Sequence, residues 1–172
     1  HLHYDHAGNV PLFGRARFHL QDQEMAFATG RCMCHSLLSH GYSADDVTVM
    51  VHKVFDGCVQ FHDGMATLAP GIELHHIGGH TRGLQVVRVM TRRGWVVLAS
   101  DASHFYAHME GDRAFPVLYN LGDMLEGYRR LRALAESPRH IVPGHDPLVL
   151  AHYPASHELL AGWIARLDAD PR

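Results

Sequence analysis

The chain opens on His-Leu-His-Tyr-Asp-His and continues Ala7-Gly8-Asn9. Four side chains able to bind a metal fall within these six positions, and no other stretch constrains the fold as strongly. Side chains alternate along an extended backbone, so His1 and His3 are expected to point to one side. Asp5 and His6 join them only if the chain turns, and Gly8-Asn9 suits a tight loop. Imidazole and carboxylate together suit zinc, and also iron, nickel, manganese or cobalt. Four donors in one loop exceed one ion's share when three further candidates follow downstream, which points to two metals. A purification tag would be a run of consecutive histidines, whereas this run is spaced and carries an aspartate and a glycine.

Histidine numbers 17 in 172 residues, so position matters more than count. The length fits one domain at roughly 100–200 residues each, and 47% hydrophobic residues rule out a disordered chain. No apolar run reaches the ~18–20 residues of a membrane span. A formal charge of −3 lacks the basic footprint of a nucleic-acid binder. Cys32, Cys34 and Cys58 are too few and odd in number for a disulfide framework. The Cys-Met-Cys-His run at 32–35 has no second ligand pair at zinc-finger spacing, so free thiols, buried or half-buried in a helix, are expected. A reduced, cytoplasmic setting fits them.

Residues 1–15 read as a loop or the start of a helix, 16–20 as a short strand, and 23–40 and 44–55 as helices, the first broken at Gly30. Asp45 and Asp46 favour the N-terminal end of the second. Short β-prone runs follow at 58–62, 65–68, 72–77, 84–90 and 95–100, separated by Gly or Asp-Gly turn signals. The apolar run 96–99 suits an inner strand. Helix returns at 123–136, where Met124, Tyr128, Leu131 and Leu134 form a stripe at helical spacing. A last strand is expected at 140–142 and a closing amphipathic helix at 156–167. This order suggests an α/β layered protein with a mixed or antiparallel sheet.

His-x-His-x-Asp-His-x-Gly resembles the metal-binding signature of the metallo-β-lactamase superfamily. Further elements appear in that superfamily's order. His80 lies in Gly78-Gly79-His80-Thr81-Arg82-Gly83, Asp101 closes the apolar strand, and His145 lies in Val142-Pro143-Gly144-His145. The resemblance implies an αβ/βα four-layer sandwich with two divalent metals, zinc foremost. One metal would take His1, His3 and His80, the other Asp5, His6 and His145, and Asp101 would bridge. It further implies two-metal hydrolysis by a bridging hydroxide, with ions about 3.5–4 Å apart lowering the pKa of a shared water. Asp5 and Asp101 would offset part of the metal charge.

Within the superfamily the N-acyl-homoserine lactonase group is most similar. The likeness runs through residues 1–9, Phe18-His19-Leu20-Gln21 with Glu24, Ala69-Pro70-Gly71-Ile72, residues 78–83 with Gln85, and Ser100-Asp101-Ala102. The expected activity is dinuclear, metal-dependent opening of a lactone ring, an ester bond, with an N-acyl homoserine lactone as quorum-quenching substrate. Lactonases of this group place a tyrosine three residues after the bridging aspartate; here His104 stands there, and either His104 or Tyr106 is expected to meet the substrate carbonyl. His19 and His140 are candidates for supporting the ligands. Members of the group also carry a long segment before the first ligand, which builds half of the sandwich. Residues 1–172 therefore read as a single but partial domain, the N-terminal half largely missing, with an open sheet edge, exposed apolar surface, low stability and little activity by itself expected.

Two other functions stay open. One is a thioesterase or esterase of glyoxalase II type, which would use Arg92 and Arg93 as a basic patch. The other is a non-catalytic metal-binding module. A small-molecule lactone or ester is the expected partner, without nucleic acid or membrane, and a homodimer is compatible with the resemblance.

Overall fold

The computed structural model describes residues 1–172. The chain folds around a five-stranded sheet in the order β3-β4-β5-β6-β7. Its strands are β3 (Ala66–Ala69), β4 (Ile72–His76), β5 (Gln85–Thr91), β6 (Gly94–Ser100) and β7 (Ile141–Pro143). The first four run antiparallel by short turns, and β7 joins β6 in parallel, pairing Val97 with Ile141 and Leu98 with Val142. That parallel return needs a crossover, which helix α6 (Leu121–Leu134) supplies.

Strand β6 is apolar on both sides because both faces are covered. Val97 and Ala99 face a core shared with Leu84, Val86, Met124, Tyr128 and Leu131. Val96 packs on the opposite side with Val142 and Tyr153. Each buried valine contributes about 1.5–3 kcal/mol relative to an exposed one. Helix α6 starts where the Asn120 side chain accepts the Asp123 N–H. Met124, Tyr128 and Leu131 are buried as the spacing predicts, with Leu134 at the margin.

The N-terminal part has its own small core. Helix α1 (Tyr4–Ala7) and a 3-10 turn (Val10–Leu12) precede β1 (Phe18–Gln21) and helix α2 (Asp22–Ala28). A 3-10 turn (Arg31–Cys34), helix α3 (Ser36–Ser39), helix α4 (Ala44–Phe55) and β2 (Val59–His62) follow. Ser43 caps α4 by accepting the Asp46 N–H. Leu2, Ala7, Val10, Leu20, Val47 and Met50 pack together. Strands β1 and β2 pair in parallel as a sheet of two, and Leu12, Phe13, Phe55 and Phe61 in this part are exposed.

Three expectations are corrected. The stretch 156–167 is not a helix. It makes a 3-10 turn (Glu158–Leu160), then folds back so that Ala155 bridges Ala165 antiparallel. Gly162 takes a φ of +81°, a left-handed turn that interrupts any helix, and Leu159 and Trp163 stay 86% and 83% exposed, so no apolar face is buried to hold one. The region 23–40 is two short helices around a 3-10 turn rather than one broken helix; Cys32 is half-buried as expected, but it lies in the 3-10 turn, and Cys34 there is exposed. Helices α5 (Tyr106–Glu110) and α7 (Leu148–His152) carry too few residues for a periodic signal and went unread. No helix is long and apolar enough to cross a membrane.

Candidate metal centre

Asp101 stands at the end of β6, and the backbone around it is specialised. Ser100 adopts a φ of +46°, a strained value for a residue with a Cβ, which turns the chain sharply before the carboxylate. Gly144 comes so close that an added Cβ would sit 2.7 Å from the Ser100 carbonyl oxygen and 2.9 Å from Asp101 Oδ1. Its N–H donates to the carbonyls of Ser100 and Ser103, and the His145 N–H donates to that of His104. Backbone hydrogen bonds thus pin the His145 loop to the Asp101 loop.

His80 is presented by a comparable device. Gly79 has a φ of +88°, and a Cβ there would fall 2.6 Å from the Met124 Cα, so only glycine lets the loop lie on α6. His80 Nδ1 lies 2.7 Å from the Val117 carbonyl oxygen. A carbonyl only accepts, so Nδ1 carries the hydrogen and Nε2 keeps its lone pair for a ligand. At the chain start, the His3 carbonyl accepts the N–H groups of His6 and Ala7, which begins α1 and swings Asp5 and His6 round.

These elements bring the side chains together. To Asp101 Oδ2, the Nε2 atoms of His80, His6 and His1 lie at 3.3, 3.4 and 3.6 Å. His145 Nε2 is 3.1 Å from Asp101 Oδ1. Asp5 Oδ2 is 3.5 Å from His6 Nε2 and 3.6 Å from His145 Nε2. Donor atoms of His1, His3 and His80 lie within 4.8 Å of one another, as do those of Asp5, His6, Asp101 and His145.

The donor set fits divalent ions. Both ring nitrogens of His1 are buried without a hydrogen-bond partner, and each such orphan costs about 1–3 kcal/mol unless something binds it. Burial pushes the His3 and His80 imidazoles down to about 4, outweighing the nearby carboxylates, so both are neutral donors at pH 7. Burial works to raise the Asp101 carboxyl, but the His104 and His6 imidazoles, with His80 beside them, hold it well below the usual carboxylate range. No cysteine belongs to any of these groups.

One supporting residue was visible in the sequence only as part of a similar stretch. Glu24 is fully buried on α2. Its Oε1 accepts from the Leu2 N–H (3.0 Å) and the Tyr42 hydroxyl (2.8 Å). Its Oε2 accepts from the Thr81 hydroxyl (2.6 Å) and the Gly83 N–H (3.0 Å). One carboxylate therefore ties the loop of His1 and His3 to the loop of His80. Tyr42 also packs its ring edge-on to His3 at 4.5 Å, while Gly41 leaves room for the His3 ring, 2.8 Å from where its Cβ would be.

The site opens into a cavity of about 240 Å³ lined by Tyr4, His40 and Val117 beside the clustered side chains, His104 among them. Tyr106 lies elsewhere: its N–H donates to Asp146, and it lines a separate cavity with His152 and Tyr153. His19 pairs with His62 at 2.9 Å, and His140 bonds the Arg93 carbonyl and Ser137, so neither braces a clustered imidazole. Arg93 donates to Tyr153 and to the carbonyls of Leu167 and Arg139, and Arg92 to Asp168, so this basic pair fastens the C-terminal segment. His40, Tyr4 and Val117 carried no signal in the sequence; each reaches the cavity through tertiary packing.

No protein-family profile matches this sequence, and no curated protein matches it. Solved structures do. An N-acyl homoserine lactone hydrolase with the product N-hexanoyl-L-homoserine bound at its catalytic metal centre is 25% identical, with a TM-score of 0.69 over 85% of this chain and 53% of its own. A probable metal-dependent hydrolase from Staphylococcus aureus is 17% identical, with a TM-score of 0.65 over 89% of this chain and 53% of its own. A dizinc quorum-quenching lactonase in complex with its product is 15% identical, with a TM-score of 0.57 over 77% and 49%. The chain spans about half the length of the solved structures it matches. Over that half it has the metallo-β-lactamase-like α/β fold and is similar to the N-acyl homoserine lactonases.

Proposed function

We propose that residues 1–172 act as one metallo-β-lactamase-like domain of a metal-dependent hydrolase that opens a lactone ring, with N-acyl homoserine lactones as the substrate class. The observation that carries this reading is the convergence of five imidazoles and two carboxylates, from four separate loops, around Asp101. The 25% identity to lactonases supports the substrate class. His1, His3 and His80 would hold one ion, Asp5, His6 and His145 the other, and Asp101 would serve both. Zinc suits this thiolate-free set, as do iron, nickel, manganese and cobalt. Divalent ions there supply Lewis acidity and lower the pKa of a water towards neutrality.

The chain's own side chains do the rest. Asp5 and Asp101 offset the metal charge. Buried His3 and His80 stay neutral, and His80 keeps its Nε2 lone pair for a ligand. Asp5 has a side chain 36% exposed at the cavity, so the outer edge of the donor group meets solvent there. The wall of His40, Tyr4 and Val117 bounds the space a substrate would enter.

Proton release from N-acyl homoserine lactones of several acyl lengths, followed with a pH indicator, tests the reading. Turnover by the full-length protein is expected, lost with chelator, regained with zinc and absent in Asp101→Asn. No turnover on any lactone removes the lactonase assignment, and faster release from a glutathione thioester selects the thioesterase.

A further inference from the structure

Beyond the seven side chains already grouped, one more imidazole is aimed at the same carboxylate. His104 lies between β6 and α5, and its Nε2 is 3.3 Å from Asp101 Oδ2. That is as close as His80 Nε2 and closer than His1 Nε2 at 3.6 Å. The His104 Nε2 is buried and makes no hydrogen bond. His1 is the one other histidine with buried, unpartnered ring nitrogens, and it belongs to the proposed ligand set. His80, Asp101 and His104 present donor atoms all within 4.8 Å of one another.

The ring is held in this pose. It stacks on Phe115 at 3.9 Å and 25°, and Phe115 stacks in turn on His108 at 5.0 Å. The His104 carbonyl accepts the His145 N–H, which locks its backbone to the last of the grouped histidines. A side chain that donates to a substrate through Nε2 needs that atom open to the cavity. This nitrogen instead faces inwards, without contact with solvent, between a carboxylate and another imidazole. A buried nitrogen left unpaired is costly, and a cation is the partner that an imidazole lone pair, a carboxylate and His80 Nε2 share.

We infer that His104 is an eighth protein ligand of the metal centre, binding through Nε2 beside His80 and Asp101. The inference rests on the proposed metal centre and has its own readouts. His104→Phe keeps the stack on Phe115 and removes the nitrogen. Metal content and release to a chromogenic chelator are compared with the parent, alongside the visible spectrum of the cobalt-loaded protein. At least about a tenfold loss of affinity for one of two ions and altered cobalt bands are expected, with an unchanged far-UV spectrum. Unchanged metal retention and cobalt bands overturn the inference, as does a fall in turnover alone, which makes His104 a substrate contact. Cadmium-loaded parent protein gives a second readout that needs no substitution: scalar coupling between cadmium and His104 Nε2 is expected, and its absence while His80 shows coupling overturns the assignment. A parent that binds no metal at all overturns the metal centre itself, and this inference with it.

Discussion

Replacing Glu24 with glutamine tests whether one buried carboxylate holds the candidate ligand loops in register. Two donors meet each of its oxygens: Leu2 N–H and Tyr42 O–H on one, Thr81 O–H and Gly83 N–H on the other. Glutamine keeps one acceptor oxygen and puts an NH₂ where the other was. If the oxygen stays with Leu2 and Tyr42, the Thr81 hydroxyl can rotate and accept, but the Gly83 N–H cannot. In the opposite orientation Tyr42 can adapt and Leu2 cannot. Either way one buried backbone donor is left unpaired, at about 1–3 kcal/mol, and the surviving bonds lose their charge assistance, about 1 kcal/mol each. Glutamine avoids the desolvation of a buried carboxylate, which returns part of this. The net expectation is a loss of about 2–4 kcal/mol, a large share of the ~5–15 kcal/mol that stabilises an ordinary domain. Leu2 sits between His1 and His3 and Thr81 follows His80, so metal affinity should fall by about tenfold or more. Urea unfolding and calorimetric metal titration measure the two effects. A change below about 0.5 kcal/mol with unaltered metal affinity would refute the reasoning.

Three further outcomes are expected. Burial, then the Asp112 charge, pushes the Tyr128 phenol up to about 12. The unfolded chain releases this proton near 10, so the contribution of Tyr128 is complete below 10 and is lost as pH rises through 12. Tyr128→Phe, which also removes the bond to the Arg113 carbonyl, should cost about 1 kcal/mol at pH 7 and flatten alkaline unfolding between those values; an unchanged alkaline slope counts against it. Gly144→Ala places a methyl against the Ser100 carbonyl and Asp101 Oδ1, so metal content should fall while far-UV circular dichroism is retained, and full metal content would contradict the close approach. Tyr106→Phe should leave metal content and lactone turnover within about twofold, because its ring faces the other cavity; a tenfold loss of turnover with metal retained would place the hydroxyl in the reaction.

Much of this was legible in residue spacing. Helix α4 carries Asp45 and Asp46 in its first turn and a run long enough to define its ends, and both ends fall where the pattern puts them. Strand β6 read as an inner strand because both its faces are covered, by α6 on one side and by Val142 and Tyr153 on the other. The grouped donors were recognisable because their motifs are local. What was not legible depends on contacts between distant segments. The stretch 156–167 has helical periodicity but no surface to bury against. His104 gave no local sign of how its ring would turn, since Phe115 and His145 fix it. Glu24 stood out only as part of a similar stretch, and its role became plain once its four donors, from three other segments, were in place.

The donors lie far apart along the polypeptide: His3 meets His80 across 77 residues, and Asp101 meets His145 across 44. Such long-range closure comes late in folding. During synthesis, His1, His3 and His80 would leave the ribosome well before His145. The grouping around Asp101 is thus complete only once the last loop has been made and has docked against the first, so any ion held by the whole cluster would be acquired after that closure and would act as a clasp between the two ends of the segment.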